Sequence, residues 1–274
     1  MHIISFLIKL PLLKRLLPSL IRRVLIIFKH YHILFSYKNI ILTLDIRDGI
    51  DRSLLFKHEY ENSQIEELSR NIDIFKINTF IDVGSNIGIY SLLIAHEHKN
   101  IKVYAFEPHL SAFKRLNQNI GNNNLNNQIK AINKGLSEKE GSMTLYQQNY
   151  FGINQSGGAG MLHNSSIDKR KNKNFIVETV IPVTTADKEL NISDSSIAIK
   201  IDVEGYELNV LKGFENIFGK NNVYLQIEIF DELYSNVTIL LEKYGFKLIK
   251  SFDDSHSHNS GTKDYVFRNF DLYK

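Results

Sequence analysis

The sequence predicts an α/β domain on a doubly wound sheet of seven strands, with a helical extension ahead of it. Three observations point there: a strand-to-helix turn rich in glycine within NTFIDVGSNIGIYSLLIA, a second short strand that ends in an acid, and strand and helix patterns that then alternate to the C-terminus. The run Phe80 to Val83 reads as a buried strand, and Ile89, Leu92, Leu93 and Ala95 follow at near-helical spacing, so the period changes across Gly84, Ser85, Asn86 and Gly88. Glycines at such a turn let the backbone approach a ligand, and the helix start beyond offers unpaired N–H groups. KVYAFEP is the second strand, Ser111 to Asn119 a helix, and Gln128 to Asn133 a third strand. A hairpin-like GSMTLY follows, and then an irregular insertion over about residues 147–175. Alternation resumes with a strand in SIAIKIDVEG, a helix over Tyr206 to Phe218, a strand in VYLQIEIF, a helix over Glu232 to Tyr244, and two consecutive strands, FKLIKS and DYVFRN.

The chain has 274 residues, of which 43% are hydrophobic and 23% charged, enough for one sizeable domain and too apolar for disorder. It contains no cysteine, which excludes a disulfide framework, a thiolate nucleophile and a thiolate-bound metal, and agrees with a reducing, cytoplasmic compartment. The net charge of +3 is uneven. Residues 1–40 carry seven Lys or Arg and no acid, which leaves 26 basic against 30 acidic residues in the rest. Lys14, Arg15, Arg22, Arg23 and Lys29 interrupt the apolar runs of this segment before any reaches the roughly 18 residues of a bilayer span. On a helical projection Leu13, Leu16, Leu17, Leu20, Ile21, Val24 and Phe28 share one face, opposite Lys14, Arg15, Arg22 and Lys29. Residues 1–42 are therefore expected to be a basic amphipathic helical extension and residues 43–274 the catalytic domain. The helix would lie at the inner face of a membrane, against the domain, or in a homo-oligomer against a second subunit. Its apolar face would have no role on a nucleic acid, so no nucleic-acid partner is expected.

Glu107 follows Gly84 by 23 residues. In a doubly wound sheet the second strand lies beside the first, so an acid at its end reaches the ribose hydroxyls of a nucleotide held over the first turn. The segments FIDVGSNIG, AFEP, KIDVEGYELNVLKG and YLQIEI, in this order, resemble the FkbM family of S-adenosylmethionine-dependent methyltransferases, over about residues 78–270. The resemblance implies the Rossmann-like seven-stranded methyltransferase sheet with an antiparallel last strand. It also implies S-adenosylmethionine held at Asp82, Gly84, Asn86, Gly88 and Glu107 around Ser85, and oxygen methylation of an acceptor such as a sugar, a glycolipid or a small metabolite.

Chemistry separates this reading from a nicotinamide-dependent oxidoreductase. A pyrophosphate calls for G-x-G-x-x-G, whereas this chain has G-x-N-x-G. A non-catalytic nucleotide-binding protein on the same fold would be marked by loss of the glycines or of Glu107, and both are present. In this type of sheet the adenine lies beyond the third strand, which points to Asn133, to Gly135 to Ser137, and to the stretch Thr184 to Asp187. Asp202 and Glu204 fall at the tip of the fourth strand and Glu228 at the end of the fifth, where they can orient an acceptor hydroxyl or take its proton. His256, in the loop DDSHSHNSG, is a competing base. His256 and His258 with the nearby acids also suggest a metal, but flexible Ser- and Asp-rich loops carry such residues for solubility, and no metal is expected. Tyr146, Tyr150 and Phe151 are aromatic groups that could stack on a sugar or fill the core.

Overall fold

The computed structural model describes residue 23 and residues 25–150, 153–154, 176–252 and 261–271. Its centre is the expected sheet. Seven strands lie in the order β12-β13-β11-β10-β3-β4-β5: β3 (Thr79–Val83), β4 (Lys102–Phe106), β5 (Ile129–Ile132), β10 (Ser196–Ile201), β11 (Asn222–Phe230), β12 (Lys247–Phe252) and β13 (Thr262–Arg268). The five strands β5, β4, β3, β10 and β11 pair in parallel, and β13 runs antiparallel to both β11 and β12. The strand order reverses between β3 and β10, with later strands added first on one side and then on the other, and this central parallel pair sets residue 82 opposite residue 200 and residue 83 opposite residue 201. Open α/β sheets bind ligands at that kind of switch point, outside the carboxyl ends of the strands.

Between the strands run α3 (Ile89–Glu97), α4 (Leu110–Asn122) and α8 (Tyr234–Glu242). Phe80, Ile87, Leu92 and Leu116 pack on one face of the sheet, and Ile81, Ile199, Val210 and Phe214 belong to the core of the other. Burial on both faces explains why TFIDV and SIAIKI read as almost unbroken apolar runs. The helix expected over Tyr206 to Phe218 is two short ones, α6 (Glu207–Lys212) and α7 (Glu215–Lys220). They part at Gly213, where a Cβ would meet the Ser137 carbonyl oxygen at 2.2 Å. The preceding loop carries the one-turn helix α5 (Ala186–Glu189).

The N-terminal region departs from the sequence reading. Within the expected helical extension, β1 (His32–Tyr37) and β2 (Ile40–Asp45) form an antiparallel hairpin. Tyr37, Ile40, Leu42 and Leu44 are buried in the domain core, and Asn119 of α4 accepts from the Thr43 amide at 2.7 Å. The hairpin is strand because its alternate residues face that core, which outweighs the helical period read across residues 1–40. It is followed by α1 (Gly49–Lys57), capped by Asp48, and by α2 (Asn62–Ile74), two helices to which the sequence reading gave no place.

GSMTLY opens β7 (Gly141–Tyr150), which pairs antiparallel with β9 (Ile176–Thr184) in a small separate sheet with β6 (Gly135–Leu136) and β8 (Ile153–Asn154). Residues 147–150 of the expected insertion are thus strand, because β7 pairs with β9 through Gln148 and with β8 at Asn149 and Tyr150. Residues 155–175 lie outside the described residues, as do Phe151, His256, His258 and residues 1–22 of the extension.

Candidate active site

The apolar strand β3 ends on Val83, and the chain must then turn sharply into α3. Gly84 and Gly88 have φ of +83° and +91°, and Asn86 has φ +50°, all in the left-handed region that favours glycine and tolerates asparagine. The Gly84 and Ser85 amides both donate to the Phe106 carbonyl at 3.0 Å, which ties the turn to the end of β4. A Cβ on Gly84 would lie 1.9 Å from the Asp202 carbonyl oxygen, so the tips of β3 and β10 meet there with no space for a side chain. A Cβ on Gly88 would instead meet Leu116 at 2.4 Å, on the side of the helix packing.

Above these tips lies a cleft of about 700 Å³, whose walls include Gly84, Asn86, Glu107, Gly135, Asp202 and Glu204 with apolar Phe106, Leu136 and Leu145. A smaller cavity of about 330 Å³ shares Tyr60, Gly84, Asn86 and Asp202 with it and reaches Asp82, Ser85, Tyr90 and Lys200. Of the predicted cofactor residues, Asp82, Gly84, Ser85, Asn86 and Glu107 line this joint space, and Gly88 and Asn133 are not among its walls. Asn133 donates to the Glu107 and Pro108 carbonyls at 2.8 and 3.0 Å and so braces the end of β4. Gly135 and Leu136 reach the cleft, while Asp187 accepts from the Asn216 and Ile217 amides at the start of α7.

Glu107 is fixed by main chain. Its two carboxyl oxygens accept from the Asn86 and His109 amides, each at 2.8 Å. Burial pushes its pKa up to about 7 against these two donors, which favour the charged form. Asp82 accepts from the Ser91 amide at 3.2 Å and the Ser91 hydroxyl at 2.6 Å, so it pins the first turn of α3. Burial raises its pKa to about 6.

The tips of β10 and β11 hold a different arrangement. The Lys200 ammonium is 2.9 Å from Asp264 and 3.9 Å from both Asp202 and Glu61. Burial lowers its proton affinity, but the surrounding carboxylates raise it further, so Lys200 stays charged. Asp202 and Glu228 are neighbouring carboxyls at the tips of the adjacent strands β10 and β11. Burial and then Glu228 raise Asp202 well above the usual carboxylate range. Burial likewise brings Glu228 to about 7, with Lys200 opposing it. Asp202 keeps 26% of its side chain open to the cleft. Glu204 adds another carboxyl to the wall, on a left-handed residue at φ +54°.

Several members of this group escape a motif reading. Tyr60 and Glu61 precede α2, Tyr90 donates to Glu61 at 2.7 Å, and Asp264 comes from β13. A signal for them did exist. Lys200 stands alone among isoleucines in a strand buried on both faces, and such a lysine must have acids nearby that the local sequence does not supply. Among the described residues, no cluster of acids and histidines has metal-binding geometry.

One central lysine among four carboxylates, beside a glycine turn and a strand-end acid that can accept from a ribose, suits a nucleoside ligand that carries positive charge. A pyrophosphate would meet the wrong sign of field. The cationic side chains on the cleft walls, Lys134 and Lys200, are already paired with Glu189 and Asp264. Fold and site together define a Rossmann-like transferase of the seven-stranded methyltransferase type.

Residues 82–248 match the methyltransferase FkbM domain, and the chain belongs to that family. It is a methyltransferase, with S-adenosylmethionine as its methyl donor and an acceptor substrate as its partner. Methyltransferase sdnD of Sordaria araneosa is 27% identical over 202 residues, covering 63% of this chain and 75% of that protein. Methyltransferase 1 of Beauveria bassiana (strain ARSEF 2860) is 24% identical over 188 residues, covering 61% of this chain and 71% of its own. Among solved structures, M. jannaschii TYW2 in complex with AdoMet is 14% identical with a TM-score of 0.46, over 87% of this chain and 84% of that one.

Proposed function

We propose that the chain methylates a hydroxyl oxygen, on a sugar, glycolipid or small metabolite, with the Asp202 and Glu228 pair receiving the proton. The observation that carries this reading is that pair: two neighbouring strand-tip carboxyls that raise each other's affinity for a proton, one of them open to the cleft at the switch point. S-adenosylmethionine, when bound, supplies a methyl group on a positively charged sulfur. The residues of the chain do the rest. The Gly84 turn brings backbone close to the ligand, Glu107 accepts from the ribose hydroxyls through its remaining lone pairs, and Phe106, Leu136 and Leu145 offer apolar surface to the adenine. Fixing the acceptor hydroxyl at about 3–3.5 Å from the methyl supplies most of the rate. A base adds about 10²–10⁴-fold. Lys200 holds the pair in place and keeps part of its charge neutralised, and Glu204 is positioned to orient the acceptor.

The test is incubation with isotopically labelled S-adenosylmethionine and a cell-envelope or small-metabolite extract. Label in a methyl ether supports the reading, and label on nitrogen or carbon overturns oxygen methylation.

We further propose peripheral attachment to an anionic membrane face. The seven bases of residues 1–40 support it, as do Ile27 and Phe28, which are 74% and 68% exposed ahead of the hairpin. Near anionic lipid each base contributes about 1 kcal/mol. Among the described residues no helix is long and apolar enough to cross a membrane. Full-length protein should co-sediment with anionic vesicles at low salt and release at high salt, and a version beginning at Tyr31, which keeps the buried hairpin, should not. Equal behaviour of the two would exclude the segment as an anchor.

A further inference from the structure

The smaller cavity ends against Tyr60, which precedes position 82 and so lies outside the family match, and Glu61 is the next residue along the chain. Two of the carboxylates around it are committed elsewhere. Asp82 is held by Ser91, and Asp202 is raised well above the usual carboxylate range by burial and then by Glu228. Glu61 sits in a left-handed conformation at φ +40°, just ahead of α2, which turns its side chain back toward Tyr90 and Lys200, both cavity walls. Its carboxylate accepts from the Tyr90 hydroxyl at 2.7 Å, but at 3.9 Å it is too far from Lys200 for a hydrogen bond. Lys200 spends its short contact on Asp264. The side chain of Glu61 is 27% exposed. Four acids, Glu61, Asp202, Glu228 and Asp264, surround this one lysine, so the cavity carries an excess of negative charge that a cation would neutralise.

We propose that Glu61, next in sequence to the wall residue Tyr60 and bonded to the wall residue Tyr90, receives the ammonium group of the cofactor's amino-acid tail, so that the cofactor site is completed by a segment upstream of the family domain. This rests on the S-adenosylmethionine reading above. The chemistry is that of a charge-assisted hydrogen bond in a partly desolvated site, which is stronger than a neutral one. Burial, opposed by Lys200 and reinforced by Asp264 and Asp202, brings the pKa of Glu61 up to about 7. An arriving ammonium favours the ionised form, so binding near neutral pH should expel a proton.

The experiment is calorimetric titration, at pH 7 in buffers of different ionisation enthalpy, with S-adenosylhomocysteine, its deaminated analogue, and 5′-methylthioadenosine, which has no tail. Wild-type protein should bind S-adenosylhomocysteine about tenfold or more tightly than the deaminated analogue and release more protons with the former than with the other two, whose ribose meets Glu107 alike. In Glu61→Gln that preference and the extra proton release should vanish, while affinity for methylthioadenosine stays within about twofold, which also reports an intact fold. Equal wild-type affinity for the two tailed ligands overturns the inference without any variant. Uniform weakening of all three ligands in Glu61→Gln overturns it too, since that marks a structural residue. Failure of the wild type to bind any of the three would instead overturn the cofactor reading itself.

Discussion

At the β4 end of the cleft one carboxylate is gripped by two main-chain amides, whereas at the β10 end four carboxylates from separate parts of the chain crowd around one lysine. The first arrangement is set by backbone geometry. Its donors are main-chain amides and hold Glu107 by both carboxyl oxygens. The second is set by side-chain charge, and its protons can be redistributed whenever a cation enters or a substrate gives up a proton. The cleft thus pairs an end whose carboxylate is held by main chain with an end whose carboxylates respond to one another's charge.

The largest effect expected is at the seam between the two ends. Gly84→Ala places a methyl 1.9 Å from the Asp202 carbonyl and forces an L-residue to φ +83°. The left-handed backbone alone costs about 1–2 kcal/mol, and the clash must spread β3 from β10. S-adenosylhomocysteine affinity should fall at least about a hundredfold and the melting temperature should drop. Gly88→Ala presses only on the flexible end of Leu116, at 2.4 Å, and should lower stability while leaving affinity within a few-fold. Comparable loss of binding in both variants would show that Gly88 also meets the cofactor.

The next effect separates the roles of the ends. Asp202→Asn should reduce turnover by about 10²–10⁴-fold and change S-adenosylhomocysteine affinity by only a few-fold. In the wild type the rate should rise with pH through about 7, because Glu228 titrates there and the pair accepts a proton only after losing one of its own. A flat profile from pH 6 to 8 would remove the pair from the chemistry. Glu107→Ala should do the reverse, weakening S-adenosylhomocysteine by about 1.5–3 kcal/mol and leaving the pH profile in place. If Glu107→Ala shifts the profile, the two ends are not independent.

The same contrast explains what the sequence disclosed. Gly84, Asn86 and Glu107 were legible because left-handed turns and strand-end acids are local demands, met by residues close together in the chain. The sheet was legible from its buried apolar strands, and so was the placing of Asp202 and Glu228 on adjacent strand tips. The charge cluster was not, since Glu61, Lys200 and Asp264 come together only through the fold, and an acid before α2 or within the last strand looks like a surface residue in sequence. The hairpin over residues 32–45 was missed for a related reason: its burial depends on α4, about 75 residues further on.

Glu207 sharpens the comparison with the smallest effect, because it has the grip of one end and the neighbours of the other. Its carboxyl accepts from the Gly205 amide at 2.8 Å, as Glu107 accepts from Asn86 and His109, yet Asp202 and Glu204 lie close enough to repel its charge. Burial is the larger cause, and the pKa reaches about 7 from an ordinary 4.5. The folded protein therefore holds this proton up to about pH 7, while the unfolded chain gives it up near 4.5. The stabilisation is complete below about pH 4.5 and is lost as the pH rises to about 7, and a shift of this size corresponds to at most about 3 kcal/mol. Glu207→Gln cannot titrate but keeps an acceptor for Gly205. Between pH 5 and 8 the melting temperature of the variant should gain on that of the wild type by several degrees, since about 1 kcal/mol moves a domain of this size by about 2–4 °C. The raised groups Glu107, Asp51 and Glu61 are common to both proteins and cancel in the difference. Parallel curves would mean that the main-chain donor governs Glu207, as it does at the fixed end, and that the field of Asp202 and Glu204 stops short of α6.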